Sequence, residues 1–275
     1  MKIAKSFTYC NKNTLEDFGL DMVLTNNNKE INLALSREVL KGNTTKFRDA
    51  TNHLGAKFSE VLSFPITLIK RSKTGNQEEL KWSRQDIREI TSWLTSVEIP
   101  QLLEFQYKTT NEEEIDYFGL FTDITTYSLD SVVYGIELTF TCSSPFGYTK
   151  ENVYRFNIDS SKEINNTSDK WNDYVYPKIE IIPNSTGNIT ITNVTDEKRS
   201  ITLNVKNQNN VYIDCRNNIV YDEAGVLSLS DLGITVDDLD TLYWLRFVSG
   251  KNRIEVEGDA EVIMKCRYER KVGEV

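Results

Sequence analysis

Apolar and polar residues alternate in short runs along most of this chain. The clearest run is Tyr134–Cys142, with Ile136, Leu138, Phe140 and Cys142 on one face and Glu137, Thr139 and Thr141 on the other. A period of two with one apolar face predicts a half-buried antiparallel strand. Phe64–Lys70, Leu102–Tyr107 and Tyr117–Phe121 read the same way, and Pro65 puts the start of the first at an edge or entry position. One segment has a different period. Ser83-Arg-Gln-Asp86 is a capping box, in which the serine hydroxyl accepts from the Asp86 N–H and the carboxylate reaches back. Ile87, Ile90, Trp93, Leu94 and Val97 then share about a third of the helical wheel, while Arg84, Arg88 and Glu89 face away. Pro100 ends the pattern. The spacing predicts a helix from Arg84 to about Val97, packed on a sheet through those five apolar residues.

From Asn157 to Asp173 the chain is polar and without a sustained period, which predicts a boundary. Beyond it, Lys178–Ile182, Ile189–Thr192, Ile201–Val205 and Val211–Cys215 follow at about ten-residue intervals, the rhythm of a sandwich or barrel. The end reads as a hairpin series: Tyr243–Phe247, then Arg253–Glu257, a Gly-first turn at Gly258-Asp259, and a last strand over Ala260–Tyr268. The expected fold class is therefore mainly β. It comprises a β-rich α+β domain over residues 1–156 with one main helix, a linker over 157–175, and an antiparallel β-sandwich over 176–275.

Hydrophobic residues make up 39% of the 275, enough for a sizeable core. With 32 basic and 41 acidic residues the net charge is −9, a poor basis for gripping nucleic acid through its phosphates. No apolar run approaches the ~20 residues of a membrane-spanning helix, and no apolar h-region follows Met1, so neither a membrane span nor a signal peptide is expected. His53 is the single histidine, which excludes mechanisms and zinc sites that need two imidazoles. Cys10, Cys142, Cys215 and Cys266 form no C-x-x-C pair and read as reduced thiols. There is no G-x-S-x-G elbow, P-loop or G-x-G-x-x-G. Asp214–Asn218 lacks the glycine and closing glutamate of a calcium loop, Glu112–Glu114 reads as a solvated loop, and Asp237, Asp238 and Asp240 read as a helix start or acidic turn. No catalytic residue, metal ligand or cofactor is predicted. Trp171, Tyr174, Tyr176, Tyr243 and Trp244 could stack on sugar rings, although aromatics borne on strands usually fill cores.

Read in order, several stretches resemble one family, the phage distal tail protein that forms the hub of siphophage-type baseplates. They are Ile87–Leu94 with Leu102–Phe105, Gly119–Tyr127 and Tyr134–Phe146 in the first half. In the second half they are Tyr176–Ile181, Ile189–Asn193, Tyr212–Asp214, Trp244–Gly258 and Lys265–Gly273. Their order and spacing carry the likeness. The resemblance implies an N-terminal belt domain closing into a homo-hexameric ring and a C-terminal sandwich of galectin-like type. It implies a non-enzymatic part of the virion tail tip, assembled in the host cytoplasm, with no membrane contact. A tail tube protein would lie above the ring and a tail-associated baseplate protein below. A receptor-binding protein, or in some members sugar, would meet the outer domain, where Trp171, Tyr243 and Trp244 are the candidate contacts. A ring with an acidic bore would let DNA pass without binding it specifically. The alternative is a carbohydrate-binding β-sandwich protein without catalytic activity.

Overall fold

The computed structural model of the chain describes residues 4–23, 37–42, 53–72, 74–107, 113–205, 209–227, 231 and 243–272. Asp237, Asp238, Asp240 and most of the loop before Glu113 lie outside the described residues. The chain divides into two units, Met1–Tyr148 with Arg270–Val275, and Thr149–Glu269.

The first unit carries β1 (Ala4–Tyr9), β2 (Lys12–Asn13), β3 (Leu20–Val23), β4 (Arg37–Lys41), β5 (His53–Phe58), β6 (Ser63–Lys70), α1 (Arg84–Leu94), β7 (Gln101–Tyr107), β8 (Ile115–Leu129) and β9 (Val132–Cys142). Seven of these strands form one antiparallel sheet in the order β2-β1-β7-β8-β9-β6-β3. The long hairpin β8–β9 turns on Asp130 and Ser131, both left-handed (φ 50° and 64°), as a two-residue hairpin turn of matching twist requires. On β9 the alternation is realised, with Ile136, Leu138, Phe140 and Cys142 all buried. Pro65 lies where β6 meets a neighbour on one side only among the described residues, because β3 covers just Thr67–Lys70.

The capping box forms at Ser83 and Asp86, and the same Asp86 carboxylate accepts from Lys70 Nζ at 2.6 Å, tying the helix start to β6. Burial pushes the Asp86 carboxyl up, but the hydrogen bonds from Lys70 and Ser83 prevail and hold it below its ordinary value. The helix ends at Leu94, earlier than its apolar spacing predicts. Thr95 leaves the helical conformation (φ −103°, ψ 9°), and its N–H and the Ser96 hydroxyl both turn back onto the last carbonyls. Ile90, Trp93 and Leu94 are buried, and Ile87 and Val97 pack half-buried against the same core. Rings dominate that core: Phe7, Tyr9, Phe64, Phe105, Phe121 and Phe140 meet in edge or tilted contacts at 5.0–6.4 Å.

The second unit holds β11 (Asn152–Phe156), β12 (Ser160–Asn166), β13 (Lys178–Pro183), β14 (Gly187–Asn193), β15 (Arg199–Val205), β16 (Val211–Asp214), β17 (Ile219–Asp222), β18 (Gly225–Val226), β19 (Gly250–Glu257) and β20 (Ala260–Cys266). Before them in the chain, β10 (Gly147–Thr149) contains the division after Tyr148. One sheet runs β11-β20-β13-β16-β17-β18 and the other β12-β19-β14-β15. Ile179, Ile181, Val211, Ile213, Val262 and Met264 from the first meet Ile189, Ile191, Ile201, Leu203, Ile254 and Val256 from the second in one apolar core.

Two stretches depart from what their sequence predicts. The stretch 157–175 is not a linker: β12 pairs with β19 over seven residues, from Ser160↔Val256 to Asn166↔Gly250. It looked polar because it is an edge strand whose outward residues are hydrated, with Ile164 as its one apolar residue in the core. Gly258-Asp259 is not a hairpin turn either. β19 pairs with β12 and β14, β20 pairs with β11 and β13, and the glycine carries the chain from one sheet to the other. Its φ of +110° and the Asn188 carbonyl, which an added Cβ would meet at 2.5 Å, both demand glycine.

All four thiols are unbonded; Cys142, Cys215 and Cys266 are buried, and burial pushes the first two up to about 12 and the third to about 11. Such thiols pack as small apolar groups and are poor nucleophiles at neutral pH. Among the described residues no helix is long and apolar enough to cross a membrane.

Candidate functional site

Among the described residues, the segment from Tyr243 to Ser249 has no ladder partner apart from the bridge Val175↔Phe247, so its backbone groups need other partners. Buried asparagines supply them. Asn193 Nδ2 donates to the Arg246 carbonyl (2.7 Å) and to Asn252 Oδ1 (2.9 Å). Asn252 exchanges bonds with Val248 in both directions, and Asn166 donates to the Phe247 and Val248 carbonyls. This stitching fixes where Arg246 leaves the backbone.

The turn between β14 and β15 brings a second arginine to the same place. Glu197 and Lys198 are left-handed (φ 52° and 57°), and the Arg199 N–H bonds back to the Asp196 carbonyl at 2.8 Å. The Asp196 carboxylate, 7% exposed, then receives Arg199 Nε at 2.9 Å, Arg246 Nε at 2.8 Å and Arg246 Nη2 at 3.2 Å. Each guanidinium also lies on a tyrosine ring. Arg246 sits 3.5 Å from the centre of Tyr174, and Arg199 4.8 Å from that of Tyr243. Tyr176 stands edge-on to Tyr174 at 6.4 Å. The result is a preorganised surface of two cations on one buried anion, rimmed by exposed phenol rings.

Burial pushes the Asp196 carboxyl up, but the hydrogen bonds and charges of Arg246 and Arg199 outweigh it, and the group stays below its ordinary value of 3.8. The stabilisation it gives is therefore complete above that value and is lost as pH falls through the lower folded one. Asp196→Asn should cost about 2–4 kcal/mol near neutrality, because it leaves two guanidiniums uncompensated; both keep some contact with water, which holds the figure below that of a fully buried pair. Urea unfolding from about pH 5 to about pH 3 should show wild type and variant converging.

The three aromatics singled out in the sequence part company. Tyr243 belongs to the cluster. Trp171 is 77% exposed in the loop before Tyr174. Trp244 turns inward and packs half-buried on the sandwich core. Asp196, Arg199 and Arg246 carry no mark in the sequence beyond the Asp196-to-Arg199 spacing of a tight turn, since Arg246 arrives from fifty residues away. His53 is exposed on β5, and among the described residues no group of three or more His, Cys, Asp and Glu is placed to hold a metal.

A second surface lies in the first unit. Strands β4 and β5 pair only with each other among the described residues, outside the main sheet. Almost every residue of this ribbon is exposed, including Leu54 (69%) and Val39 (46%).

Comparison with known proteins places both units. A phage tail protein N-terminal domain model matches residues 2–144, and a phage tail C-terminal domain model matches residues 146–266. No curated protein matches the sequence. Among solved structures, the chain is similar to the SPP1 Dit protein, described as a paradigm of the hub adsorption apparatus in phages infecting Gram-positive bacteria. The identity is 12%, over 97% of this chain and 100% of that one, with a TM-score of 0.62. It is also similar to a chain of the phage P2 baseplate in its activated conformation with calcium (11% identity, 98% and 99% covered, TM-score 0.60) and with strontium (11%, 98% and 100%, TM-score 0.58). At such identities the likeness is one of fold.

Proposed function

The chain belongs to the phage tail protein family through both of its units, and from that premise we propose that it is a hub of the tail tip, a hexameric ring joining the tail tube to the baseplate. The end-to-end likeness in fold to the SPP1 hub protein and the P2 baseplate chain supports this reading. Its partners would be a tail tube protein on one side and a tail-associated baseplate protein on the other, with a receptor-binding protein at the outer domain. Its role is scaffolding rather than catalysis, in the virion tail after assembly in the host cytoplasm. The acidic balance of the chain suits a bore through which DNA slides without being held.

The β4–β5 ribbon is the observation that carries self-association. A two-stranded ribbon alone is marginal in water, and among the described residues the outer edges of this one are unpaired while Leu54 and Val39 are exposed, which calls for a partner. In a closed ring the same two unlike surfaces meet at every joint, so each ribbon is covered by the next copy. Light scattering on the purified chain at tens of micromolar should give about 190 kDa, six copies of a 31.7 kDa chain. Leu54→Asp should return it to a monomer with unchanged circular dichroism. A wild-type monomer throughout that range, or a Leu54→Asp chain that still forms the ring, would remove the ribbon from the interface.

A further inference from the structure

We infer that the β4–β5 ribbon of one copy adds, strand beside strand, to the open edge of β8 over Thr122–Leu129 on the next copy. This rests on the ring reading above and names the surface that receives the ribbon, which that reading leaves open.

The first argument is where the main sheet is open. Strand β8 has β9 on one side along Gly119–Leu129. On its other side β7 covers only Asp116–Gly119, and β10 meets it near Ile115 and Tyr117, beside Gly147. From Leu120 onward that side has no ladder partner among the described residues. The ends of the sheet offer no comparable length. β2 spans two residues and β3 four, and the Leu20 N–H at the start of β3 donates to the Thr14 carbonyl just after β2, at 2.8 Å. The long open edge is therefore the second half of β8. Thr125–Leu129 are all exposed, with Tyr127 at 57% and Leu129 at 65%, and Thr122–Leu129 hold no lysine or proline to discourage pairing.

The second argument is charge. Residues 109–149 contain no Lys or Arg, and the projecting half of the β8–β9 hairpin carries Asp123, Asp130 and Glu137. Asp123 stands opposite Thr139 and Glu137 opposite Thr125, which puts both carboxylates on one face. The ribbon has the opposite balance: Arg37, Lys41 and Lys57 against Glu38. Lys57 reaches Glu38 at 3.1 Å, while Arg37 and Lys41 have no ionic partner among the described residues. Two ribbons meeting each other would oppose like charges, whereas a ribbon meeting the hairpin edge pairs unlike ones, which favours encounter and fixes register.

The third argument is fit. β4 has five residues and β5 six, lengths that lie within the eight of Thr122–Leu129. Exposed Leu54 and Val39 on the ribbon would meet exposed Tyr127 and Leu129 on the edge. The joint makes two lone strands part of a larger sheet and covers an open edge on each copy. Because the two surfaces differ, each copy keeps one of each free for a further neighbour, so the pairing runs on into a ring and does not stop at a dimer.

Hydrogen exchange and light scattering on the full chain test this together. In the assembled wild type, the amides on the outer side of Thr122–Leu129 should exchange about tenfold or more slowly than in the Leu54→Asp monomer, because those N–H groups gain acceptors only when a ribbon arrives. Tyr127→Lys with Leu129→Lys, which blunts the edge and repels the basic ribbon, should leave the chain monomeric with unchanged circular dichroism. A mixture of that variant with Leu54→Asp has one intact edge and one intact ribbon. It should form a dimer of about 63 kDa, two copies of a 31.7 kDa chain, and nothing larger. A wild type that stays monomeric overturns the ring and this pairing together. The edge pairing alone is overturned, with the ring left standing, by a ring whose Thr122–Leu129 amides exchange as in the monomer. A folded lysine variant that still closes the ring, or a mixture that gives no dimer, overturns it equally. Exchange on the wild type decides the matter even where the lysine variant fails to fold.

Discussion

Replacing Trp93 by alanine is expected to destabilise the first unit by about 3–5 kcal/mol, enough to unfold a marginal domain near body temperature. The side chain is 6% exposed and stacks against Phe18 at 4.7 Å and Phe7 at 6.0 Å. Its indole N–H donates to the Tyr9 carbonyl at 3.1 Å, so one residue holds α1 to both β1 and the aromatic core. Alanine would lose the burial and leave a cavity among rings too rigid to close it. Trp93→Phe separates the contributions: it keeps most of the packing and should cost about 1–2 kcal/mol, the share of the hydrogen bond and the smaller ring. Because the two units have separate cores, denaturant unfolding should show the transition of the first unit moving and that of the second staying in place. If both shift together, the units melt as one. If neither moves, Trp93 contributes nothing to the core it touches.

Local patterns were the legible part of this chain. The capping box at Ser83 and Asp86 and the alternation along β9 each involve residues within a few positions of one another, and each forms from its own stretch. What the sequence hides is which strand lies beside which. β12 reads as a linker because its single buried ladder neighbour, β19, is some ninety residues away, and nothing in Ser160–Asn166 announces it. The Gly258 corner and a two-residue hairpin share one signature, an apolar alternation on both sides of a glycine; only the pairing of β19 with β14 and of β20 with β13 separates them. The Asp196 cluster is hidden for the same reason. Its arginines and tyrosines come from three stretches, around residues 174, 196 and 243, that meet only after the sandwich closes. Of the aromatics that stand out by type alone, Tyr243 reached that surface, while Trp244, its neighbour, packs half-buried against the sandwich core.

Gly119→Ala should be the most damaging of the small substitutions in the first unit, at about 3 kcal/mol or more. Gly119 sits opposite Cys142 at the junction of β8 and β9, in the middle of the sheet. A Cβ there would lie 2.2 Å from the Thr141 carbonyl oxygen and 2.8 Å from Cys142 Cα, both backbone atoms that no rotamer change can move. The two strands would have to part, and with them the hydrogen bond from the Ser143 N–H to the Phe118 carbonyl, now 2.7 Å. Alanine does narrow the unfolded ensemble, which returns about 0.4–1 kcal/mol, but this is too little to offset a backbone collision. Gly135, on the same hairpin, is the internal control. An added Cβ there meets the Leu68 carbonyl at 3.0 Å and an Ile69 methyl at 3.4 Å, so a shift of a few tenths of an ångström suffices, and Gly135→Ala should cost about 1 kcal/mol. Guanidinium unfolding of the two variants measures the contrast. Equal midpoints would mean that β8 and β9 can separate at Gly119 without disturbing the sheet. A large gap means that this hairpin is the rigid spine on which the first unit, and any ring built from it, depends.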